Sequence, residues 1–358
     1  MLIIDGSSGE GGGQILRTAL ALSCLTGTPF RMKNIRAGRE KPGMKAQHVA
    51  CVTALQALAG AKADGAEVGS LELLFIPGKI TAKNTTIDIG TAGSVTLLLQ
   101  AVLLPCMFAD KSHTLTLIGG TDVPFSTPID YFAHVVLPQF ARVCDFDLKI
   151  IRRGYYPLGG GEVRLTIKPR FSKNKLGTLE NLRLALAHNS FHLIQLGTLF
   201  SIKGLSHASN SLVDLRVAER QSGAAGQALS SLGVPVHIVN EYHKTPATGS
   251  GITLYAIYGN GGEVSIENPI RIGANMLSER EMPAEDVGTT AAKRLIAEIK
   301  THAPVDSHLA DNLVPLIALI RNCMISVSSV TPHTKTNMWV VEQFLGPTFK
   351  EEEKIIST

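Results

Sequence analysis

A glycine-rich stretch close to the first residue carries the first side chains that could do chemistry. The apolar run Leu2–Ile4 predicts a strand, Asp5–Gly13 (DGSSGEGGG) predicts a loop, and apolar residues at helical spacing follow. Glycines let a ligand approach the backbone closely, and the N-terminus of the following helix offers free N–H groups to an anion. Glu10 is the charged residue inside the loop, and Gln14 and Arg17 lie three apart on one face of the first helical turn. The stretch therefore predicts a site for an anion.

A basic stretch comes next, just before another predicted helix. Arg36 and Arg39 flank a glycine, and Lys41 and Gln47 belong to the same stretch. Two guanidinium forks near the start of a helix suit a phosphate, because each fork can bind two oxygens. These side chains could equally be exposed residues at a helix end, and the residues alone leave both interpretations open. Neither nucleotide fingerprint is present, since no Gly-Lys-Ser/Thr follows the first glycine loop and Gln14 occupies the last position of a GxGxxG pattern.

The composition is that of an ordinary soluble globular protein. The 358 residues are 44% hydrophobic and 18% charged, with a net charge of +4, which excludes a tail-driven nucleic-acid binder. The chain shows no signal-peptide pattern and no apolar run of membrane-spanning length, so we expect a cytoplasmic protein with no membrane contact. The five cysteines are scattered and include no CxxC pair. We therefore predict that they are core residues in a reducing compartment.

The pattern of strand, loop and helix recurs along the chain. Two helices alternate with about four strands, twice, by about residue 170. Two further helices, predicted at about 283–301 and about 308–322, would complete a third copy. The predicted fold class is therefore α/β (α+β), built from three repeated subdomains of two helices and four strands.

Extra chain lies between the second and third predicted copies. Residues 181–267 contain the pattern strand, helix, strand, strand, and then a hairpin turn at Gly259–Gly262 leads to a strand at Val264–Glu267. We interpret 181–267 as a small inserted α/β domain. Residues 1–180 and 268–358 would together form the main domain.

Single polar residues elsewhere are weaker candidates. His333 lies in the sequence Pro-His-Thr-Lys-Thr-Asn, but it is one of eleven histidines, and most histidines are structural or surface residues. Gln100, on an otherwise apolar helix, is either a satisfied buried amide or a polar contact for a ligand. His188 and His192 have the i,i+4 spacing of a metal pair, but they lack the glutamate of an HExxH motif, so we predict no zinc site.

Seven stretches resemble, in the same order, those of the RNA 3′-terminal phosphate cyclase family. They are Asp5–Arg17 (DGSSGEGGGQILR), Ile35–His48 (IRAGREKPGMKAQH), Ile89–Gln100 (IGTAGSVTLLLQ), Gly119–Pro128 (GGTDVPFSTP), Gly154–Glu162 (GYYPLGGGE), Leu309–Leu313 (LADNL) and His333–Asn337 (HTKTN). The resemblance covers nearly the whole chain, with the inserted domain matched least. It implies three α/β repeats like the C-terminal domain of translation initiation factor 3, with one inserted domain after the second. That agrees with the repeats predicted from the residues.

The same resemblance implies a reaction. Family members convert an RNA 3′-terminal phosphate to a 2′,3′-cyclic phosphodiester, with ATP and Mg²⁺ or Mn²⁺ as cofactors. The enzyme first takes AMP onto its own nucleophile and then passes it to the RNA phosphate, which thereby gains a good leaving group. The neighbouring ribose 2′-OH is held at high effective concentration and closes the ring. The expected partner is RNA with a 3′-phosphate end, and no obligatory protein partner is expected.

Individual roles follow from the resemblance. His333 is expected to be the adenylated histidine, and Glu10 is expected to contact the divalent metal, for which a carboxylate is a suitable ligand. The residues expected at the substrate phosphate are Arg36, Arg39, Gln47 and Lys41. The residues expected at the nucleotide are Gln14, Arg17, Gln100, Asp122, Pro124, His308 and Asp311. Two positions depart from the family pattern, because His308 replaces a tyrosine that stacks on adenine and Asn312 replaces a longer glutamine.

Two alternatives from other classes remain at this point. The first is a non-catalytic relative that binds RNA as an assembly factor and has lost the nucleophile. The presence of both Glu10 and His333 favours the enzyme over this alternative. The second is an enolpyruvyl transferase, whose fold is built from related repeats, but the chain offers arginines and a histidine where a cyclase needs them.

Overall fold

The structure describes residues 1–259, 263–265 and 269–358, and in this part of the chain the computed structural model forms four four-stranded sheets. The first sheet shows the pattern that recurs. Its elements are β1 (Leu2–Asp5), α1 (Gly13–Thr26), β2 (Phe30–Lys33), α2 (Ala46–Ala59), β3 (Lys62–Asp64) and β4 (Leu73–Ile76). The strand order is β1-β2-β4-β3, with β1 parallel to β2 and the other pairs antiparallel. Both helices end at a glycine in the left-handed conformation, Gly27 and Gly60, a common way of ending a helix.

The second sheet repeats this topology. Its elements are β5 (Thr85–Asp88), α3 (Val95–Cys106), β6 (His113–Gly119), α4 (Ile129–Tyr131), α5 (Leu137–Phe140), β7 (Cys144–Arg152) and β8 (Gly161–Pro169). A π-helical turn at Phe132–Val136 joins α4 to α5, so the three form one continuous helical segment. The order β5-β6-β8-β7 again has a parallel first pair and antiparallel neighbours. Two short helices follow, α6 (Lys173–Leu176) and α7 (Leu179–Leu186).

The third sheet belongs to the predicted insertion and has a different topology. After β9 (His192–Leu193), the chain forms β10 (Thr198–Ser209), α8 (Val217–Leu229), β11 (Val236–His243), β12 (Ser250–Gly259), β13 (Ile270–Leu277) and α9 (Ala284–Ile299). The strand order is β11-β10-β12-β13, with only β10 and β11 parallel among the described residues. The predicted hairpin turn at 260–262 and the end of the predicted strand at 264–267 lie outside the described residues.

The fourth sheet completes a third copy of the first topology. The chain continues through α10 (Ser307–Ile320), β14 (Met324–Ser326), α11 (Pro332–Leu345), β15 (Lys350–Glu352) and β16 (Ile355–Ser357). The order β9-β14-β16-β15 has β9 parallel to β14 and antiparallel pairs beyond. The prediction of three repeats is therefore confirmed. β9, the first strand of this third repeat, lies within the range 181–267 of the predicted insertion.

The helix predicted at about 283–301 exists as α9, but its assignment to the third repeat is corrected by its packing. Val287 and Leu295 of α9 pack in one core with Ile202 and Leu254 of the insertion sheet. At Gly288 a Cβ would lie 2.0 Å from the backbone oxygen of Gln221 in α8, so the two helices meet closely. The helices of the third repeat are instead α10 and α11. The division of the chain into two domains at residues 181 and 267 stays a prediction.

The helices of the repeats supply most of the main core. Nearly every residue of α1 and most residues of α10 are buried, and α1 packs against α2, α3 and α11. Burying apolar surface of this kind is the dominant favourable term in folding. The loops that precede the helices of the repeats meet where two repeats join. In the part of the chain that the structure describes, no helix is long and apolar enough to cross a membrane.

Candidate active site

The central feature of the candidate site is a carboxylate and an imidazole brought together from opposite ends of the chain. Glu10 lies in the glycine loop between β1 and α1, and His333 lies in the first turn of α11. Their Oε2 and Nδ1 atoms are 2.7 Å apart, and the His333 side chain is about half exposed (49%). The two side chains predicted to hold the metal and to carry AMP are therefore direct neighbours, with the imidazole open to a ligand.

The start of α11 is fixed by a set of polar contacts. The Thr331 hydroxyl caps the helix by accepting from the Thr334 backbone N–H at 3.0 Å. The Thr334 hydroxyl donates to Asp311 Oδ1 at 2.7 Å, which ties α11 to α10. Asn337 donates to the Asp311 backbone oxygen at 2.7 Å and accepts from the Thr18 hydroxyl at 2.6 Å, which ties α11 to α1. Burial raises the pKa of Asp311, although Thr334 and His333 oppose that rise. Asp311, predicted at the nucleotide, thus also positions the helix that carries His333.

The glycine loop lies directly against α11. Gly9 has φ +55°, and a Cβ there would lie 2.3 Å from the Thr336 hydroxyl oxygen. That hydroxyl accepts from the Glu10 backbone N–H at 3.2 Å and donates to the Pro332 backbone oxygen at 2.8 Å. A residue with a side chain at position 9 would be strained in backbone and would push the loop away. Thr336 was not among the predicted site residues. Its i,i+3 spacing from His333 is the signal that could have indicated it.

The two arginines predicted at the substrate phosphate differ in their surroundings. Arg39 is partly exposed, and its Nη2 lies 3.6 Å from Glu10 Oε2, so it borders the Glu10–His333 pair. Arg36 is buried and donates through Nη1 to the backbone oxygens of Lys41 and Gly43 at 2.7 and 2.8 Å. Burial and the nearby positive charge of Arg39 lower the pKa of Arg36. The structure therefore brings Arg39 to the site and uses Arg36 to hold the loop that carries Arg39, while the Lys41 side chain is exposed.

His48 is a buried neighbour of the glycine loop that the sequence-based predictions missed. Its Nδ1 accepts from the Lys45 backbone N–H at 2.9 Å, so Nε2 carries the hydrogen in the neutral ring. Burial, assisted by the positive charges of Arg17 and Arg36, lowers the pKa of His48 to about 3. A Cβ at Gly13 would lie 2.1 Å from His48 Nε2. A neutral imidazole thus supports the start of α1, and its place at the end of the KPGMKAQH stretch could have signalled it.

A chain of hydrogen bonds joins the first helices of the three repeats. Arg17 of α1 donates through Nε to Gln100 Oε1 of α3 at 3.0 Å, and Gln100 donates to Asn312 Oδ1 of α10 at 3.4 Å. Burial lowers the pKa of Arg17 to about 10, so the guanidinium keeps its charge at neutral pH. Arg17, Gln100 and Asn312, one from each repeat, therefore form one hydrogen-bond network.

A cavity lies beside this network. Gln14, Gln100 and Asp311, all predicted at the nucleotide, line it together with Asn312 and Asn337. Its remaining lining is mostly apolar and consists of Thr18, Ala21, Leu99, Leu103, Leu104, Phe132, Val136, Phe140 and Pro315. Mostly apolar walls with a few amide and carboxylate groups are common in small-molecule sites. Three residues predicted at the nucleotide therefore share one small cavity, and its role as a nucleotide site stays a prediction.

Three further predicted residues lie around the N-termini of other helices. The Gln47 side chain accepts from the Ser94 backbone N–H at 3.4 Å, which links α2 to the loop before α3. His308 is exposed, and its ring meets the edge of Tyr131 with 6.1 Å between ring centroids. Pro124 is exposed on the loop between β6 and α4. No contact of the described residues joins Gln47 or Pro124 directly to His333.

Asp122, predicted at the nucleotide, is buried in the structure. Its Oδ2 accepts from the Thr121 hydroxyl at 2.7 Å and from Arg153 Nη1 at 3.3 Å, and its Oδ1 lies 3.3 Å from His207 Nε2. Burial alone would raise the pKa of Asp122, but His207 and Arg153 lower it below its usual range. The carboxylate is thus part of a buried ion network between the second repeat and the insertion, and its role at the nucleotide stays a prediction.

The residues present fit a divalent cation at Glu10. The carboxylate is partly exposed in a glycine loop, next to free N–H groups at the start of α1 that suit phosphate oxygens. Hard carboxylate oxygens are the ligands that Mg²⁺ and Mn²⁺ prefer. Asp122, Asp130 and His207 also approach one another closely enough to hold a metal. In that cluster the guanidinium of Arg153 already contacts both carboxylates, so the cluster carries its own cation.

Comparison with known proteins identifies the family of the chain. The family model described as RNA 3′-terminal phosphate cyclase matches residues 8–351. A protein of that name from Pyrococcus furiosus is 42% identical over 351 residues, covering 98% of this chain and 95% of the relative. The protein of the same name from Archaeoglobus fulgidus is 42% identical over 359 residues, covering 99% of each chain. One from Caldivirga maquilingensis is 44% identical over 354 residues, covering 97% of this chain and 93% of the relative. The chain belongs to the RNA 3′-terminal phosphate cyclase family and is an enzyme of that kind.

Proposed function

We propose that the chain converts an RNA 3′-terminal phosphate to a 2′,3′-cyclic phosphodiester at the expense of ATP, with His333 as the nucleophile that carries AMP. The observation that carries this proposal is the 2.7 Å contact between His333 Nδ1 and Glu10 Oε2 at the start of α11. The relatives that share the family name support the overall reaction. We also infer a cytoplasmic location from the scattered cysteines, which are all buried and free.

The Glu10 contact determines which imidazole nitrogen reacts. When Nδ1–H donates to the carboxylate, Nε2 holds the lone pair, because a neutral ring has one protonated nitrogen. In the first step this lone pair attacks the α-phosphorus of ATP, an N–P bond forms, and the P–O bond to pyrophosphate breaks. Because His333 lies in the first turn of α11, the product phosphoryl group would be near a helix N-terminus, which favours negative charge.

Two further steps transfer and release AMP. An oxygen of the RNA 3′-phosphate attacks the AMP phosphorus, and the N–P bond to His333 breaks. The ribose 2′-oxygen then attacks the activated 3′-phosphorus and expels AMP, while its proton leaves to a base or water. Arg39, which borders the Glu10–His333 pair, is the side chain best placed to bind the RNA phosphate. Proximity of the 2′-OH supplies much of the rate of the last step.

Glu10 would hold the divalent cation, and Gln14, Gln100 and Asn312 would line the site of the base. When bound, the cation neutralises negative charge on the triphosphate. The Arg17–Gln100–Asn312 network would hold the three first helices around the nucleotide. His308 would offer its exposed imidazole at the start of α10 as a smaller stacking surface than tyrosine.

The test is labelling of the protein with α-labelled ATP, followed by denaturing electrophoresis. We expect wild type to become labelled, His333→Ala to remain unlabelled, and the adduct to be labile to acid and stable to alkali. His188→Ala is the matched control, because His188 is exposed on a turn in the region of the insertion. Label in His333→Ala would place the nucleophile elsewhere. Wild type that binds RNA but takes no label would instead support the non-catalytic alternative.

A further inference from the structure

Phe125 occupies a position that the folded protein does not explain. Its side chain is fully exposed (102%), so it gains nothing from burial. Its backbone has φ +63°, a conformation that glycine adopts freely and that a bulky residue adopts with strain. Strained residues with no packing role are concentrated at sites that bind ligands. An exposed aromatic ring held in this way indicates a surface prepared for contact.

The loop that presents Phe125 is well anchored at both ends. The Ile129 backbone N–H donates to the Thr121 backbone oxygen at 3.0 Å and closes the loop. The Thr96 hydroxyl of α3 donates to the Thr127 backbone oxygen at 2.8 Å. The backbone of Thr121 is bonded in turn to that of Gly154, with 2.9 Å between N and O. The ring therefore projects from a fixed frame.

A second exposed apolar group lies on the adjoining loop. Tyr156 and Leu158 are each more than half exposed, and their loop pairs with the Phe125 loop through a bridge between Asp122 and Tyr155. We name the exposed side chains of Phe125, Tyr156 and Leu158 the aromatic rim. Three side chains offer far less than the roughly 800 Å² per partner of a stable protein interface. They are enough, however, for one or two nucleotide bases.

The loop before α3 connects the aromatic rim to Gln47, which is predicted at the substrate phosphate. A Cβ at Gly159 would lie 2.7 Å from Ala92, and two residues further along Ser94 bonds to Gln47 of α2. One basic group lies at the rim. Exposed Arg152 donates to the backbone oxygen of Gly160 at 2.7 Å, two residues beyond Leu158. Aromatic side chains near positive charge are typical of surfaces that bind single-stranded nucleic acid.

We propose that the aromatic rim binds the unpaired nucleotides upstream of the RNA 3′-phosphate by stacking on their bases. This inference rests on the proposed function and names the part of the substrate that the rim recognises. Sequence-independent stacking gives the enzyme a preference for unpaired RNA ends over paired ones. The rim takes no part in the transfer of AMP to His333.

The experiment compares two RNAs that end in a 3′-phosphate, one of about ten unpaired nucleotides and one dinucleotide. In Phe125→Ala and Tyr156→Ala we expect the KM for the longer RNA to rise about five- to a hundredfold for each lost stack. The KM for the dinucleotide and the rate of self-adenylation without RNA should remain at wild-type values. Phe125→Trp should retain the preference for the longer RNA. Phe200→Ala is the control, since Phe200 is a half-exposed aromatic residue on β10 of the insertion.

Phe125→Gly separates binding from folding. Glycine adopts φ +63° without strain, so this variant should be at least as stable as wild type and still lose affinity for the longer RNA. Equal losses on both RNAs, unchanged affinity for the longer RNA, reduced self-adenylation, or a change of oligomeric state in Phe125→Ala would each overturn the proposal. RNA binding measured by fluorescence anisotropy tests the rim even if wild type takes no label from ATP. A failure of the proposed function is thereby distinguished from a failure of the rim.

Discussion

Replacing Glu10 by glutamine tests whether the carboxylate orients His333. Glutamine has nearly the same size, and its amide oxygen can still accept from Nδ1–H, but the negative charge is lost. The backbone N–H of residue 10 should keep its bond to Thr336, because that contact does not involve the side chain. The substitution therefore removes the charge and leaves the loop in place. The outcome reports on chemistry and not on folding.

The expected magnitude follows from the contact itself. The two atoms are 2.7 Å apart, close enough that a rotation of the ring would aim Nδ1–H at the carboxylate. A charge-assisted hydrogen bond of that kind would be worth roughly 1.5–3 kcal/mol. If that energy is used to hold the reactive tautomer, its full loss slows the first step by about ten- to over a hundredfold, since about 1.4 kcal/mol is one decade of rate. Glu10→Gln keeps an acceptor and should lie near tenfold, and Glu10→Ala should lie near the upper limit. Thermal stability should change little, because the His333 ring is half exposed.

The assay is single-turnover self-adenylation, measured with α-labelled ATP over a titration of Mg²⁺ and in the absence of RNA. An orienting role predicts a lower maximal rate with an unchanged half-saturating Mg²⁺ concentration. A role confined to binding the cation predicts the reverse, with the rate restored at high Mg²⁺. Thr336→Ser, which keeps the hydroxyl beneath the loop, serves as the matched control and should be near wild type.

Two results would refute the reasoning. A Glu10→Gln variant that self-adenylates at the wild-type rate throughout the titration would show that the 2.7 Å contact does not govern the nucleophile. Full rescue by Mg²⁺ would show that Glu10 acts through the cation alone, as the resemblance implies. In the latter case the contact with His333 is a property of the protein without its substrates.

The remaining predictions concern neighbouring residues. Arg39→Ala should slow transfer of AMP to RNA by about tenfold or more while self-adenylation continues, measured by a chase with 3′-phosphate RNA, because a charged hydrogen bond contributes roughly 1.5–3 kcal/mol. Arg36→Ala should impair both steps and lower Tm, since Arg36 holds two backbone oxygens of the loop; loss of the second step alone would contradict this. Gly13→Ala should destabilise by about 1–3 kcal/mol through the clash with the buried imidazole below it, and Gly223→Ala, where a Cβ meets nothing within 4 Å, should not. Arg153→Met should destabilise by about 3–5 kcal/mol in urea unfolding, because it leaves two buried carboxylates without their cation, and an unchanged midpoint would count against the network.

The repeats could be predicted from the sequence, but the partner of each helix could not. Alternating strands and helices with glycines between them are local signals, and they gave three copies correctly. The apolar face of α9 is equally local, and nothing in its spacing says whether it packs on the insertion sheet or on the third repeat. In the structure, Val287 and Leu295 pack in the core of the insertion sheet, so α9 belongs with that sheet. β9 was also not predicted as a strand, because it is only two residues long and has no pattern of its own.

For a related reason, some predicted site residues lie together in the structure and others are paired with protein groups elsewhere. Residue type indicated which side chains could bind phosphate or metal, and Arg39 and Glu10 do lie together. Residue type could not show that the Arg36 guanidinium donates to backbone oxygens, nor that Asp122 is paired with Arg153 of the same repeat. Buried charged groups must be paired. Whether such a residue can still bind a ligand is therefore known only when its partner in the fold is known. His48 was missed because it supports a glycine, and the residue type of a histidine does not reveal such a packing role.

The three repeats make the same junction three times, and one of these junctions carries the proposed nucleophile. In each, the start of a second helix meets the segment before a first helix of another repeat: His333 meets Glu10, Gln47 meets Ser94, and Tyr131 meets Asp306. The last two contacts are hydrogen bonds that join neighbouring repeats. The first alone among these contacts pairs a carboxylate with a half-exposed imidazole, so its second nitrogen is free to react. Repetition of the fold thus supplies the scaffold, and replacement of structural polar pairs by a reactive one at a single junction supplies the chemistry.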